Sequence, residues 1–546
     1  MPNLFRTTAS LLAASVILSS TSATAAIPIP EWITSLKEFG TATESFLKIR
    51  SLELFGILGP LPSNAPPTQG PYRKPMQKAG DQVLLSPGLT ARYLTREIAN
   101  HADQPSFWPS TGEPTHAVFC IEAERQEIEK AGAGSIGNFS KVIPKFNPSV
   151  QAVGLKTGKV TTFFRGMTRC DGLRTTPWGT VLATEEDDKG GVYEIFDPFN
   201  LPAGTTVTDR ATGSIADATG AKVDKVVKRT ALPTIAWEGL YIDPSGVVYG
   251  GDELRPGENQ EEIVVMDVLA HVLTTRTGKP GANGGSIYKF VPSKPRKSKG
   301  VIINPADSPL VEGAVYAFQA SCISHGESKF PQAGQGCEIG EGGWVRIPNP
   351  SSARAEADRV RATGYYRPED LINDPNYKGP GVRICWTNTG AADAKNYGEV
   401  NCLIDETVVT DGEISRNQQS YATTGGKVAY ATANHFISGT PEFNQPDNID
   451  FQPNSRNVAI IENNPNGDIF MCLPDGEDKD TESDGCIRFL SVKDSSAEPT
   501  GFTFLPGGSK AILSIQHSND ELMSKVDGFD TDDILIIEGF RKPLWA

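Results

Sequence analysis

The chain has 546 residues, with 51 Lys and Arg against 66 Asp and Glu, a formal charge of −15. That balance argues against a nucleic-acid partner, because phosphate backbones want a basic surface, and favours cations. Its 54 glycines and 40 prolines are interspersed with aliphatic and aromatic residues, a composition that reads as tight turns between short strands and not as disorder.

In chain order, Arg6, the apolar stretch from Leu11 to Leu18 and the small residues Ala23-Thr24-Ala25 have the form of a secretory signal peptide, with cleavage expected after Ala25. No later segment supplies the roughly 18 to 20 unbroken apolar residues of a membrane span. Residues 1–25 are therefore expected to be a signal peptide and the mature chain secreted or periplasmic. Residues 26–90 read as a Pro-rich extension with one helical patch, WITSLKEFGTATESFLKIR, and residues 91–546 as a single all-β domain. Within it, the stretch from about 255 to 365 reads as long insertions able to cover a site.

Eight cysteines in an exported chain predict disulfides. Cys322 with Cys337, Cys385 with Cys402 and Cys472 with Cys486 are close in sequence, each pair suited to stapling a hairpin or loop. Cys120 and Cys170 remain. Either they bond to each other, or Cys170 is a soft ligand beside carboxylates.

Four segments share one plan: EGLYIDPSGVVYGGDE from Glu238, PEDLINDPNYKGPGVRICWTNTG from Pro368, PDNIDFQPNSRNVAIIENN from Pro446 and EPTGFTFLPGGSKAILSIQH from Glu498. Each starts at an acid, turns through Pro, Gly or Asn, and returns as a β-branched strand with polar residues at its end. TPWGTVLATEED reads as a variant without the first acid. Such recurrence is a signature of radial β-repeats, here a β-propeller. In an antiparallel hairpin the start of one strand and the end of the next share an edge. Glu238 is thereby grouped with Asp252-Glu253, Glu369 with Thr387-Asn388, Asp447 with Glu462-Asn463, and Glu498 with Gln516-His517, while Glu185-Glu186 end the TPWG strand. If these are inner strands of blades, the acids converge on one mouth of the central channel. Two like charges about 4 Å apart repel by roughly 4 kcal/mol at an effective dielectric of about 20. Hard cations such as calcium, or a trivalent transition metal if a thiolate joins, are the expected remedy.

The ordered set Cys170, Thr176-Pro177-Trp178-Gly179-Thr180, Glu185-Glu186, Trp237-Glu238-Gly239, Arg367-Pro368-Glu369, Pro446-Asp447-Asn448 and Glu498-Pro499-Thr500-Gly501, ending in Gln516-His517, resembles the PhoX-type alkaline phosphatases. The resemblance implies a six-bladed propeller that binds Ca²⁺ and Fe³⁺ at its mouth and hydrolyses small-molecule phosphate esters. It implies Cys170 as iron thiolate ligand and Glu238, Glu369, Asp447 and Glu498 as metal-bridging carboxylates, joined by Glu185 or Glu186; Asp252 joins the metal set from the hairpin geometry. Arg367 is expected to stabilise charge on the phosphoryl group, His517 to assist the leaving group, and Trp178 to pack the turn. Asp171 and Arg174 depart from the family pattern. Two alternatives remain: a calcium-dependent propeller hydrolase of another ester or lactone class, which needs neither Cys170 nor Arg367, and a non-catalytic calcium-binding propeller. A monomer is expected. The acidic run from Asp478 to Gly485 resembles part of a calcium loop but lacks the closing glutamate, and Asn138-Phe139-Ser140 is a glycosylation sequon.

Overall fold

The computed structural model describes residues 45–68, 73–129, 143–256, 264–267, 272–275, 284–320, 338–408, 430–453, 455–462, 467–474, 485–517 and 522–544. The signal peptide, the first part of the helical patch, Cys322, Cys337, the sequon, Asn463 and the acidic run before Gly485 lie outside the described residues. The fold is all-β, as composition and turn chemistry predict, and is built from sheets whose described strand pairings are antiparallel apart from one parallel contact, Thr206 with Arg165. Among the described residues no helix is long and apolar enough to cross a membrane.

Each repeat opens with a strand that lies innermost: β1 (Ala102–Trp108), β2 (Cys170–Thr175), β3 (Trp237–Ile242), β4 (Pro368–Asn373), β5 (Pro446–Phe451) and β6 (Glu498–Phe504). Each adjoins the next, and β6 returns to β1, so the innermost strands form a ring. From each, the sheet continues outward as a meander; β2, for example, leads to Thr180–Glu185, Val192–Phe196 and Val226–Lys228. The sheets beginning at β3 and β4 merge at their outer strands, Gly340–Ile347 pairing with Tyr430–Ser438. Among the described residues, the region expected to insert over the mouth supplies sheet strands, Ile287–Pro292, Gly313–Ala320 and Gly340–Ile347, whose buried apolar residues fill the space between sheets.

The ring closes through the start of the chain. Thr90–Ala99 pairs antiparallel with Thr531–Glu538, the last strand of the sheet begun by β6. Val83–Leu85, inside the Pro-rich extension, adds an outer strand to the sheet begun by β5. Arg73 is fully buried beneath this clasp and pairs with Asp533 at 2.6 Å.

Two glycines explain how tightly the ring is drawn. A Cβ on Gly172 would lie 1.8 Å from the Glu238 carbonyl oxygen, and one on Gly239 would lie 1.8 Å from the Leu371 nitrogen. The backbones of β2, β3 and β4 approach too closely there for any side chain. Apolar clusters fill the wedges between sheets, as where Trp178, Trp237 and Tyr288 pack together. Cys385–Cys402 and Cys472–Cys486 bridge directly paired positions of neighbouring strands, as expected. Cys120 and Cys170 are bonded to each other between neighbouring sheets, inside an apolar cluster with Val118, Val150 and Leu173.

Candidate metal centre

At the mouth end of the ring a single device recurs. In β1 to β5 the second residue of the strand is an acid: Asp103, Asp171, Glu238, Glu369 and Asp447. At each of these points the pairing slips, so that two residues face one on the partner strand: Asp103-Gln104, Asp171-Gly172, Glu238-Gly239, Glu369-Asp370 and Asp447-Asn448. A bulge of this kind kinks the strand and re-aims a side chain. Here it brings the acids together. In β6 the slip comes later, between Thr500 and Thr503, and Glu498 occupies the first strand position.

The acids form three overlapping groups, each with ligand oxygens within 4.8 Å of one another: Asp103 with Glu122 and Asp171, Asp171 with Glu186 and Glu238, and Glu238 with Glu369 and Asp447. Burial and mutual repulsion both disfavour the charged forms. Burial, then neighbouring Glu122 and Glu498, push Asp103 up to about 8. Burial likewise lifts Glu369 to about 8, against the opposing pull of Arg367. Asp171, Glu186, Glu238 and Asp447 are raised well above the carboxylate range, by burial first and then by neighbouring acids, Asp103 for Asp171, Glu122 for Glu186, Asp171 for Glu238 and Glu369 for Asp447. Glu186 Oε2 is buried and receives no hydrogen bond.

Cations ring the acids. Arg367, in the left-handed region at φ +59, donates from Nε to Glu253 Oε1 at 2.7 Å and pairs through Nη2 with Glu369 at 3.1 Å. Arg169 pairs with Glu122 at 3.0 Å and with Glu186. Burial alone would raise Glu253, but Arg367, a hydrogen bond with Glu186 and the Arg169 charge together hold the group below its ordinary value. His517 Nε2 lies 3.1 Å from Glu498 Oε2 and its Nδ1 lies 2.9 Å from the Ser496 carbonyl oxygen. Burial opposes its charge, yet the Glu498 contact prevails and lifts it to about 9.

Of the residues singled out by sequence, Glu186, Glu238, Glu369 and Asp447 are brought together, with Arg367 beside them and Glu498 nearby in the grip of His517. Three expectations need correction. Cys170 is bonded to Cys120 and offers no thiolate. Glu185 is fully buried on the other side of its strand, accepting from Arg210, Thr168 N and Gly191 N. Asp252 is consumed by Arg354, whose Nε and Nη2 reach it at 2.8 and 2.7 Å. Glu185 and Asp252 sit directly opposite Cys170 and Trp237, and one step along a strand reverses its side chains, so it is Glu186 and Glu253 that enter the mouth. Both ring nitrogens of His517 are engaged, Nδ1 with the Ser496 carbonyl and Nε2 with Glu498. Replacing Asp252 by Asn should therefore cost about 2 kcal/mol of stability, by weakening a charge-assisted pair and leaving Arg354 with Asp188 as its remaining acid, without changing how many cations bind; denaturant titration beside metal analysis checks both halves.

Asp103, Glu122, Asp171 and Arg169 were not assigned to the site by the sequence reading, whereas Glu253 stands in its hairpin group beside Asp252. A signal for Asp171 was present: Cys170-Asp171-Gly172-Leu173 repeats the pattern of Trp237-Glu238-Gly239-Leu240. The departure at Asp171 is thus the repeat's own acid. Arg174, the other departure, ties the ring together, donating to Asp370 at 3.0 Å and to Gln104.

A family model described as alkaline phosphatase PhoX matches residues 270–519. The matched span contains Arg367, Glu369, Asp447, Glu498 and His517, and leaves Cys170, Glu186 and Glu238 outside. The resemblance read from the sequence is shown on that span, and assignment to the phosphoric ester hydrolases goes with it. No curated protein sequence matches the chain. Similar solved structures include Pseudomonas fluorescens PhoX in complex with vanadate, a transition state analogue, at 16% identity over 88% of this chain and 98% of that one, with a TM-score of 0.49. A PQQ-bound aldose sugar dehydrogenase from Streptomyces coelicolor is 13% identical over 83% and 99% of the two chains, with a TM-score of 0.37. A gluconolactonase from Xanthomonas campestris is 10% identical over 88% and 96%, with a TM-score of 0.35.

Proposed function

From the PhoX match as premise, we propose that this chain is an exported, metal-dependent phosphatase that hydrolyses phosphate esters at the mouth of a six-bladed β-propeller. The observation that carries the reading lies inside the matched span: Arg367, in a strained left-handed conformation, is held between Glu253 and Glu369 at the edge of the buried acids. A guanidinium there suits two phosphoryl oxygens at once.

Calcium fits the donor set. The groups are carboxylate oxygens alone, their crowding is unfavourable without a counter-charge, and Glu186 Oε2 is buried with no hydrogen bond to satisfy it. Asp171, Glu186, Glu238, Glu369 and Asp447 would hold the ions. Bound calcium would neutralise these acids and polarise a phosphoryl oxygen. The chain's own contributions are then definite: Arg367 pairs with the phosphoryl group and stabilises charge developing on its oxygens, while His517 fixes the orientation of Glu498. Thiolate-bound ferric iron does not fit, because the Cys170 sulfur is committed to Cys120.

That same disulfide favours a second reading, a calcium-dependent hydrolase of another ester or a lactone, since such an enzyme needs no thiolate. Turnover of p-nitrophenyl phosphate by the calcium-loaded protein, abolished by chelation and restored by calcium, is expected from the first reading. Lactone hydrolysis without any phosphatase turnover would replace it with the second, and turnover of neither would leave a binding protein.

A further inference from the structure

Arg169 stands, repeat for repeat, where Arg367 stands. Each immediately precedes an innermost strand and lies two residues before that strand's mouth acid, Asp171 in one case and Glu369 in the other. Both are left-handed, at φ +42 and +59. Their backbone N–H groups reach the preceding sheet at matching points, Arg169 to the Ala123 carbonyl at 3.0 Å and Arg367 to that of Leu254 at 3.2 Å. Their carbonyls accept from matching residues of their own hairpins, Glu186 N at 2.8 Å and Thr389 N at 3.1 Å. Their guanidinium groups meet the same position of the preceding repeat, Glu122 for Arg169 and Glu253 for Arg367.

The two cations converge. Arg169 also pairs with Glu186, which shares a group with Asp171 and Glu238, and Glu253 is under the influence of both guanidinium groups. Of the pair, Arg169 is the more open, its side chain 38% exposed against 16% for Arg367. His101 and Gln445, at φ +68 and +52, hold the same place before β1 and β5, so the left-handed turn belongs to the repeat; what sets Arg169 and Arg367 apart is that each brings a guanidinium fork to the acid-lined mouth.

We propose that Arg169 is a further phosphate-contacting residue, and that the phosphoryl group is clasped between Arg169 and Arg367. This rests on the phosphatase reading above. Two guanidinium groups match the two negative charges of a phosphate monoester dianion, one more than a diester carries, so the clasp discriminates between the two classes by charge as well as by shape.

The test uses the full-length, calcium-loaded protein, with inorganic phosphate as inhibitor and a phosphomonoester as substrate. Arg169→Ala is expected to lower kcat/KM by about 10²-fold and to weaken phosphate inhibition by about tenfold, with calcium stoichiometry unchanged; Arg169→Lys, which keeps the charge but loses the fork, should recover part of both. Phosphate inhibition and kcat/KM within about twofold of the parent protein in Arg169→Ala would overturn the clasp, as would an activity loss that tracks lost calcium alone. If Arg169→Ala does not fold, Arg169→Lys decides: weaker phosphate inhibition supports the clasp and unchanged inhibition removes it. A parent protein that binds phosphate through Arg169 but turns over no phosphomonoester would sink the phosphatase reading and leave the clasp standing. An active parent indifferent to Arg169 does the reverse.

Discussion

Replacing Arg367 by alanine is expected to lower kcat/KM on a phosphomonoester by about 10²- to 10³-fold, the loss typical of removing one preorganised donor to developing charge. The side chain is four-fifths or more buried and is fixed at Nε by Glu253 and at Nη2 by Glu369, so the guanidinium needs no reorganisation when phosphate arrives. The change should fall on kcat at least as much as on KM, because charge on the equatorial oxygens grows toward the transition state. Arg367→Lys should recover little, as a point charge cannot reproduce a fork held between two acids. Steady-state kinetics on calcium-loaded protein, with calcium content measured on the same samples, checks this; undiminished turnover by Arg367→Ala with metal bound would remove the phosphate assignment.

Stripping calcium should have the other large effect, and its pH dependence has a defined sign. Asp103 and Glu369 titrate near 8 in the fold, far above ordinary carboxylates. Between the ordinary range and about 8 the unfolded chain has already released these protons while the fold retains them, so raising the pH favours unfolding. The metal-free protein should thus be most stable in mild acid and lose stability progressively as pH climbs from about 4 to about 8. Calcium should counter the loss, since ionised carboxylates are its ligands, by about 2.7 kcal/mol for each site at a free concentration a hundredfold above its dissociation constant. Melting temperatures measured with chelator and with calcium at pH 5, 7 and 9 should therefore diverge toward high pH. Curves that stay together at pH 9 would show that the acids hold no cation.

The fold and part of the mouth are legible in the sequence because the repeat is written in short-range terms. An acid, an alternating strand, a turn and a β-branched return are local features, and they place Glu238, Glu369 and Asp447 on one edge without knowledge of the rest. What the pattern does not carry is the bulge. Whether Glu185 or Glu186, Asp252 or Glu253, faces the mouth depends on a single-residue slip in pairing, and period-two alternation gives either answer. Asp103 and Asp171 lie in the repeats whose openings diverge most from the others, and Cys170 draws the eye away from its neighbour. The Cys170 partner is a long-range fact, 50 residues distant, settled by which sheets adjoin. Arg169 is visible only once hydrogen bonds between successive repeats are compared.

The clasp between Thr90–Ala99 and Thr531–Glu538 has a temporal consequence. A ribosome releases the first of these segments more than four hundred residues before the second, so the circle of sheets stays open until synthesis is nearly done. Until then the acids of the first and last repeats, Asp103 and Glu498, which lie close enough in the finished ring to repel, are not brought together. Closure of the acid-lined ring is thereby a late act of folding, tied to completion of the polypeptide itself.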